Sequence, residues 1–121
     1  MASMILDTLA AQFAEIVIDT PCYGSLHYIT PTEDDPNSSE VTGPTYSRSP
    51  LTWDYASGLR LLSNVQQLQW LNLDQITLIG VGAWDAPTGG NMLLFAQLDT
   101  PVVVSDRGSY SLDAGSLFVR I

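Results

Sequence analysis

Hydrophobic and polar positions alternate through the second half of the chain in short runs cut by glycine and proline. Ile76, Leu78 and Gly80 interleave with Thr77, Ile79 and Val81, a run apolar on both faces that suits a covered central strand. Residues 92–98 form a second apolar run. Between the two, Pro87 presets φ for a corner, and Gly89-Gly90 supply the positive φ that a tight reversal requires. A hairpin with its tip at residues 85–91 is predicted. Asp99-Thr100-Pro101 should then break the strand, residues 102–104 should extend again, and Asp106-Arg107-Gly108 should reverse the chain. Tyr110 and Leu112 alternate with Ser111 and Asp113. Past the Ala114-Gly115 turn, Leu117, Val119 and Ile121 share one face and Phe118 and Arg120 the other. Short strands at this spacing predict an all-β fold, an antiparallel β-sandwich, of which a jelly roll is one form.

The first half carries two exceptions to this grammar. Leu6, Leu9, Ala10 and Phe13 recur at helical spacing, with Ser3 as a candidate N-cap and Asp7 in the first turn. A short helix is expected within residues 1–15. It should stop near Ala14, because Ile16-Val17-Ile18 is β-branched and Asp19-Thr20-Pro21 is a breaker. Such a helix either packs on its own sandwich or reaches a neighbouring subunit. Residues 31–45 read as an acidic, solvent-facing loop. Glu33, Asp34, Asp35 and Glu40 give it the oxygen ligands a hard cation wants, but neither the spacing nor the mid-loop glycine of an EF-hand is present, so no metal is expected. Around residues 59–65 strand and helix periodicities compete, Leu59, Leu61, Ser63 and Val65 against Leu62, Val65, Gln66 and Gln69; the strand is favoured.

Composition narrows the function. A chain of 121 residues is one domain, residues 1–121, large enough to hold a core without disulfides. Thirteen acidic residues face four arginines and no lysine, for a net charge of -9, so nucleic acid is excluded as a partner. Residues 1–18 lack a cationic leader pattern, and no apolar run has the length to span a bilayer, so no membrane partner is expected. One cysteine, Cys22, forms no internal disulfide and suits a reducing cytoplasm. His27 follows Cys22 by five residues, which on a strand turns the two side chains to opposite faces. With no nucleophile elbow, phosphate loop or dinucleotide fingerprint either, neither enzyme activity nor a cofactor is expected. Trp53, Trp70 and Trp84 could stack on sugars, or could fill a sandwich core or anchor interfaces; the second reading is favoured.

Three segments carry a resemblance. The run from Gly82 to Leu94, with its Trp84-Asp85-Ala86-Pro87-Thr88-Gly89-Gly90-Asn91 tip, the run Leu98-Asp99-Thr100-Pro101-Val102-Val103-Val104, and Ala114-Gly115-Ser116-Leu117 are similar to segments of small tailed-bacteriophage virion proteins. Val41-Thr42-Gly43-Pro44-Thr45-Tyr46-Ser47-Arg48 and the extended residues 23–30 resemble the same family, in the same order. Its members are described as tail-fibre-like or minor structural proteins, some of them decorating heads. At residues 66–74 a Trp-Gly pair common in the family is replaced by Trp70-Leu71-Asn72. The resemblance implies a virion component, made in the cytoplasm of a bacterial host, that works by binding; a subunit of net charge -9 would be repelled by packaged genome, which points outward. The expected partner is a major capsid or tail lattice protein, met by many copies or by a homo-oligomer. Candidate assembly anchors are Ile5, Leu6, Leu9, Phe13 and Trp70. The hairpin tip, Trp84, Asp85, Pro87, Gly89, Gly90 and Asn91, is expected to be exposed and is the candidate contact of an alternative, an adhesin that grips a host receptor or glycan.

Overall fold

A computed structural model describes residues 6–121. Ser3 and Ile5, the candidate cap and first candidate anchor, lie outside them. The helix α1 spans Asp7–Asp19 and so continues through the β-branched run expected to end it. The propensity cost of Ile16-Val17-Ile18 is only a few tenths of a kcal/mol per residue, and Val17 packs against the core in return. Termination comes at Thr20, whose Oγ1 donates to the Ile16 carbonyl at 2.6 Å and whose N–H donates to the carbonyls of Ile16 and Val17. Pro21 follows and cannot continue the helix.

Among the described residues, nine strands form three antiparallel sheets, a sandwich-like all-β arrangement with no closed barrel. In the first sheet β1 (Cys22–His27) lies between β2 (Ser49–Leu51) and β6 (Ile76–Trp84), and β7 (Met92–Val104) pairs with the far side of β6. The doubly apolar run thus occupies a central strand. The second sheet has the order β3 (Trp53–Ala56), β4 (Leu61–Asn64), β9 (Phe118–Arg120), and the third pairs β5 (Leu68–Leu73) with β8 (Gly108–Leu112). Residues 61–64 are therefore strand, as the favoured periodicity required, and the departing Trp70-Leu71-Asn72 also falls within a strand.

Two expectations along β7 and the acidic loop are corrected. Asp99-Thr100-Pro101 does not break β7, because β7 is an edge strand of its sheet, where a missing N–H is tolerated; the pairing shifts register between Leu78 and Gly80 instead. The loop faces solvent at residues 32–35, 37–38 and 42–45, but not throughout. Its second part turns through a short 3₁₀ helix, Pro36–Ser39, and folds down: Ser39 and Val41 are buried, and the Val41 N–H donates to the Leu26 carbonyl.

The core sits where the three sheets meet. Leu26, Leu78, Val81 and Ala83 of the first sheet join Leu68, Trp70 and Leu73 of the third and Leu62 of the second in one apolar cluster. Trp70 bridges two sheets: it stacks on Tyr110 with ring centres 6.1 Å apart and donates its indole N–H to the Gly24 carbonyl. Trp70 is accordingly buried rather than available at a surface rim, which corrects its place among the candidate anchors. Asn64 does the corresponding work for the C-terminal turn. Its Nδ2 donates to the Gln66 and Asp113 carbonyls, and its Oδ1 accepts from the Leu117 N–H.

Candidate functional site

On β1, Ser25 and His27 point to one face of the first sheet and Leu26 to the other, by the period of two. Directly across lie Gly82 and Gly80 of β6, opposite Ser25 and His27 respectively. The missing side chains leave room for a buried hydrogen-bond chain. Trp84 Nε1 can only donate, and it donates to Ser25 Oγ at 2.7 Å. The Ser25 hydroxyl proton therefore goes to His27 Nε2, 2.6 Å away. Ser39 Oγ, 2.7 Å from His27 Nδ1, spends its own proton on the Pro36 carbonyl. Donor accounting thus makes His27 neutral with its proton on Nδ1, the one tautomer that satisfies every group. Burial lowers its pKa to about 4, with the nearby Arg48 charge adding to the effect and Glu40 opposing it.

Beside this chain, Arg48 closes the loop over the hairpin. Its Nε and Nη2 donate to Glu40 Oε2 and Oε1 at 2.9 and 2.8 Å, a bidentate pair. Its Nη1 donates to the Ala86 and Gly89 carbonyls, both at 2.8 Å, inside the β6–β7 turn. The Tyr46 hydroxyl donates to Glu40 Oε2 and accepts from the Leu26 N–H. Burial pushes the Glu40 carboxyl up, yet the bonds from Arg48 and Tyr46 outweigh it and hold the group below its ordinary value. Burial, then the carboxylate of Glu40, pushes the Tyr46 hydroxyl far up, so it stays a donor. Glu40 therefore serves Arg48 and stands apart from Glu33, Asp34 and Asp35; among the described residues no acidic, histidine or cysteine group is placed to hold a metal.

At the tip, Asp85 Oδ1 accepts from the Asn91 N–H at 2.7 Å while the Asp85 N–H donates to the Asn91 carbonyl. Those Asn91 bonds, backbone first and then side chain, lower the Asp85 carboxyl pKa. Gly89 and Gly90 take φ of +62° and +74°. Pro87, Gly89, Gly90 and Asn91 are exposed as expected. Trp84 is not. It is fully buried under the Arg48 guanidinium, and with Trp53 at 5% and Trp70 at 2% exposure no tryptophan face is open to a sugar.

The helix presents the opposite case. Its contact with the domain runs through small residues, Ala10 and Ala14, with Val17 half-buried, and through an Asp7–Arg60 ion pair at 2.6 Å. The large side chains of the candidate anchors face outward: Leu6 is 64%, Leu9 45% and Phe13 45% exposed, and Ile16 continues the stripe at 63%. Between α1 and the first sheet, an apolar hollow of about 190 Å³ opens beside Ile16, Val17, Trp53 and Leu93.

A family model described as podophage GP4 fiber I protein gp80 matches residues 2–120. The chain belongs to the gp80 fibre family. It is a phage tail-fibre-like structural protein and a component of the virion. No curated protein matches the chain. In this gp80 family member the hydrogen bonds of the buried cluster are directed inward, and through Arg48 they tie the loop to the sheet and to the hairpin tip. Sequence reasoning missed Arg48 and Ser39 as parts of that clamp. The available signal was the position of Arg48, one of only four basic residues, at the end of the segment that closes the acidic loop.

Proposed function

We propose that this fibre-family protein is a non-catalytic accessory subunit on the outer surface of the phage tail or capsid, made in the host cytoplasm and carried in many copies. It is held to its neighbours in the particle through the exposed face of α1. The observation that carries this reading is the stripe Leu6, Leu9, Phe13 and Ile16, large apolar side chains turned to solvent while alanines of the same helix face the domain. Contiguous apolar surface of this kind on a soluble domain marks a protein contact. Net charge of -9 supports an outward position, away from packaged nucleic acid. The glycan-gripping alternative draws no support from Trp84, which lies under Arg48.

The test is copy number on purified particles after replacing Leu9 and Phe13 by Glu. Loss of the subunit from particles, with the isolated variant still folded by circular dichroism, is expected. Unchanged copy number rejects the attachment face.

A further inference from the structure

The face of α1 has a spacing that its exposure alone does not explain. Leu6, Leu9, Phe13 and Ile16 are separated by 3, 4 and 3 residues, the a/d repeat of a helix seam. That sequence of intervals reads the same in both directions. Two such helices laid antiparallel about a two-fold axis level with Ala11 place Leu6 against Ile16 of the second copy and Leu9 against Phe13 of the second copy. Every knob then has an apolar partner, which is the self-complementarity an isologous contact demands.

We infer that the exposed face of α1 pairs with the same face of a second copy of this chain, antiparallel, to form a two-fold dimer. This names the neighbour left open in the proposed function and rests on that reading of the stripe as a contact. Charge favours this occupant. Asp7 is tied to Arg60 of its own domain, and Glu15 lies on the far side of the helix from the stripe. The residues flanking the stripe are Ala10, Gln12, Val17 and Asp19, so one carboxylate per helix borders the seam. A lipid surface is disfavoured, since α1 carries no basic residue. Antiparallel helices also oppose their dipoles favourably. At each end of the seam, Leu6 of the second copy comes level with Ile16 and the apolar hollow beside it, about 190 Å³, room for an aliphatic side chain.

Area sets the strength. The four stripe residues and Leu93 at the hollow expose on the order of 500 Å² of apolar surface, near the upper range for a monomer's largest patch. A pair therefore buries roughly 1,000 Å², just below the usual span for a specific interface. An interface of that size is expected to be weak and reversible.

Sedimentation velocity of the isolated full chain from about 1 to 200 μM tests the inference. A concentration-dependent dimer is expected, abolished by L9E or F13E and retained by V103E, a control on β7 at a position 71% exposed. Mixing L9C with F13C chains under oxidant should give a mixed disulfide dimer, whereas wild type, whose single Cys22 is buried, should give none. A monomer at every concentration overturns the inference, and so does a dimer indifferent to L9E and F13E. Homotypic L9C disulfides without mixed ones overturn the antiparallel order. Failure here leaves the particle assay above able to succeed, because a lattice protein could still occupy the stripe; the two readings therefore fail separately.

Discussion

Arg48 stands with its guanidinium carbon 3.9 Å from the centre of the Trp84 ring, while its nitrogens reach Glu40 on one side and the turn carbonyls of Ala86 and Gly89 on the other. Stacking and bidentate pairing use different surfaces of the same planar group, which is why an ammonium cannot replace it.

Removing that group should unfold the domain earlier. R48A leaves the Glu40 carboxylate, largely shielded from solvent, with only Tyr46, and frees the Ala86 and Gly89 carbonyls, a loss of about 3–5 kcal/mol, read as a fall in thermal midpoint of roughly 12–20 °C. R48K should recover little of it. Thermal unfolding of R48A, E40Q and R48A/E40Q measures the coupling, and R48K tests the planar group. A cost for R48A below about 1 kcal/mol contradicts the clamp.

The neutral state of His27 sets an acid limit. Its pKa is lowered in the fold to about 4, against about 6.5 in an unfolded chain, so the folded state binds fewer protons between those values. Stability is then fully present above pH 6.5 and is lost as pH falls toward 4, by on the order of 3 kcal/mol in total. Glu40, whose pKa is also lowered, adds a loss only below its ordinary value near 4.5. Urea unfolding at intervals from pH 7.5 to 4.5 should show this decline in wild type and a flat profile in H27Q. A flat wild-type profile overturns the neutral state assigned to the buried His27.

Glycines in the site are not interchangeable. At Gly82 a methyl group would stand 2.7 Å from both His27 Nε2 and Ser25 Oγ, so G82A should cost about 2–3 kcal/mol. In the tip, a methyl on Gly89 meets open space and bears only the strain of positive φ, about 1 kcal/mol, whereas one on Gly90 also meets Asp85 and Ala86. Denaturant midpoints should rank G89A above G90A. The reverse order contradicts the turn geometry.

What could be read ahead of the coordinates was local. Pro87 and Gly89-Gly90 announced their turn because conformational demand is written in the residue itself, and Leu6, Leu9 and Phe13 announced a helix by period. The length of α1 was misjudged because the packing of Val17 and the stop at Thr20 outweigh a β-branched penalty. Trp70 and Trp84 were misplaced for a related reason. An indole is suited to core and rim alike, and which it meets depends on Gly24 and Arg48, far away in the chain. Arg48 itself reaches carbonyls 38 and 41 residues ahead, a relation no periodicity encodes.

Asn64 offers a test far from the hairpin. N64A leaves the Leu117 N–H and the Gln66 carbonyl without partners, while the Asp113 carbonyl keeps its bonds from Ser116, at a cost of about 2–3 kcal/mol. N64D should be worse, since a carboxylate would face the Gln66 and Asp113 carbonyls that now receive N–H groups. Hydrogen exchange at the Leu117 amide should quicken in N64A. An unchanged rate there would show that the turn is held by other means.

Because Arg48 holds the tip by main-chain oxygens of Ala86 and Gly89, it is indifferent to the side chain that Thr88 carries between them. That exposed position can therefore drift under selection while Pro87 and the scaffold beneath it stay put, giving the particle a point of surface free to diversify.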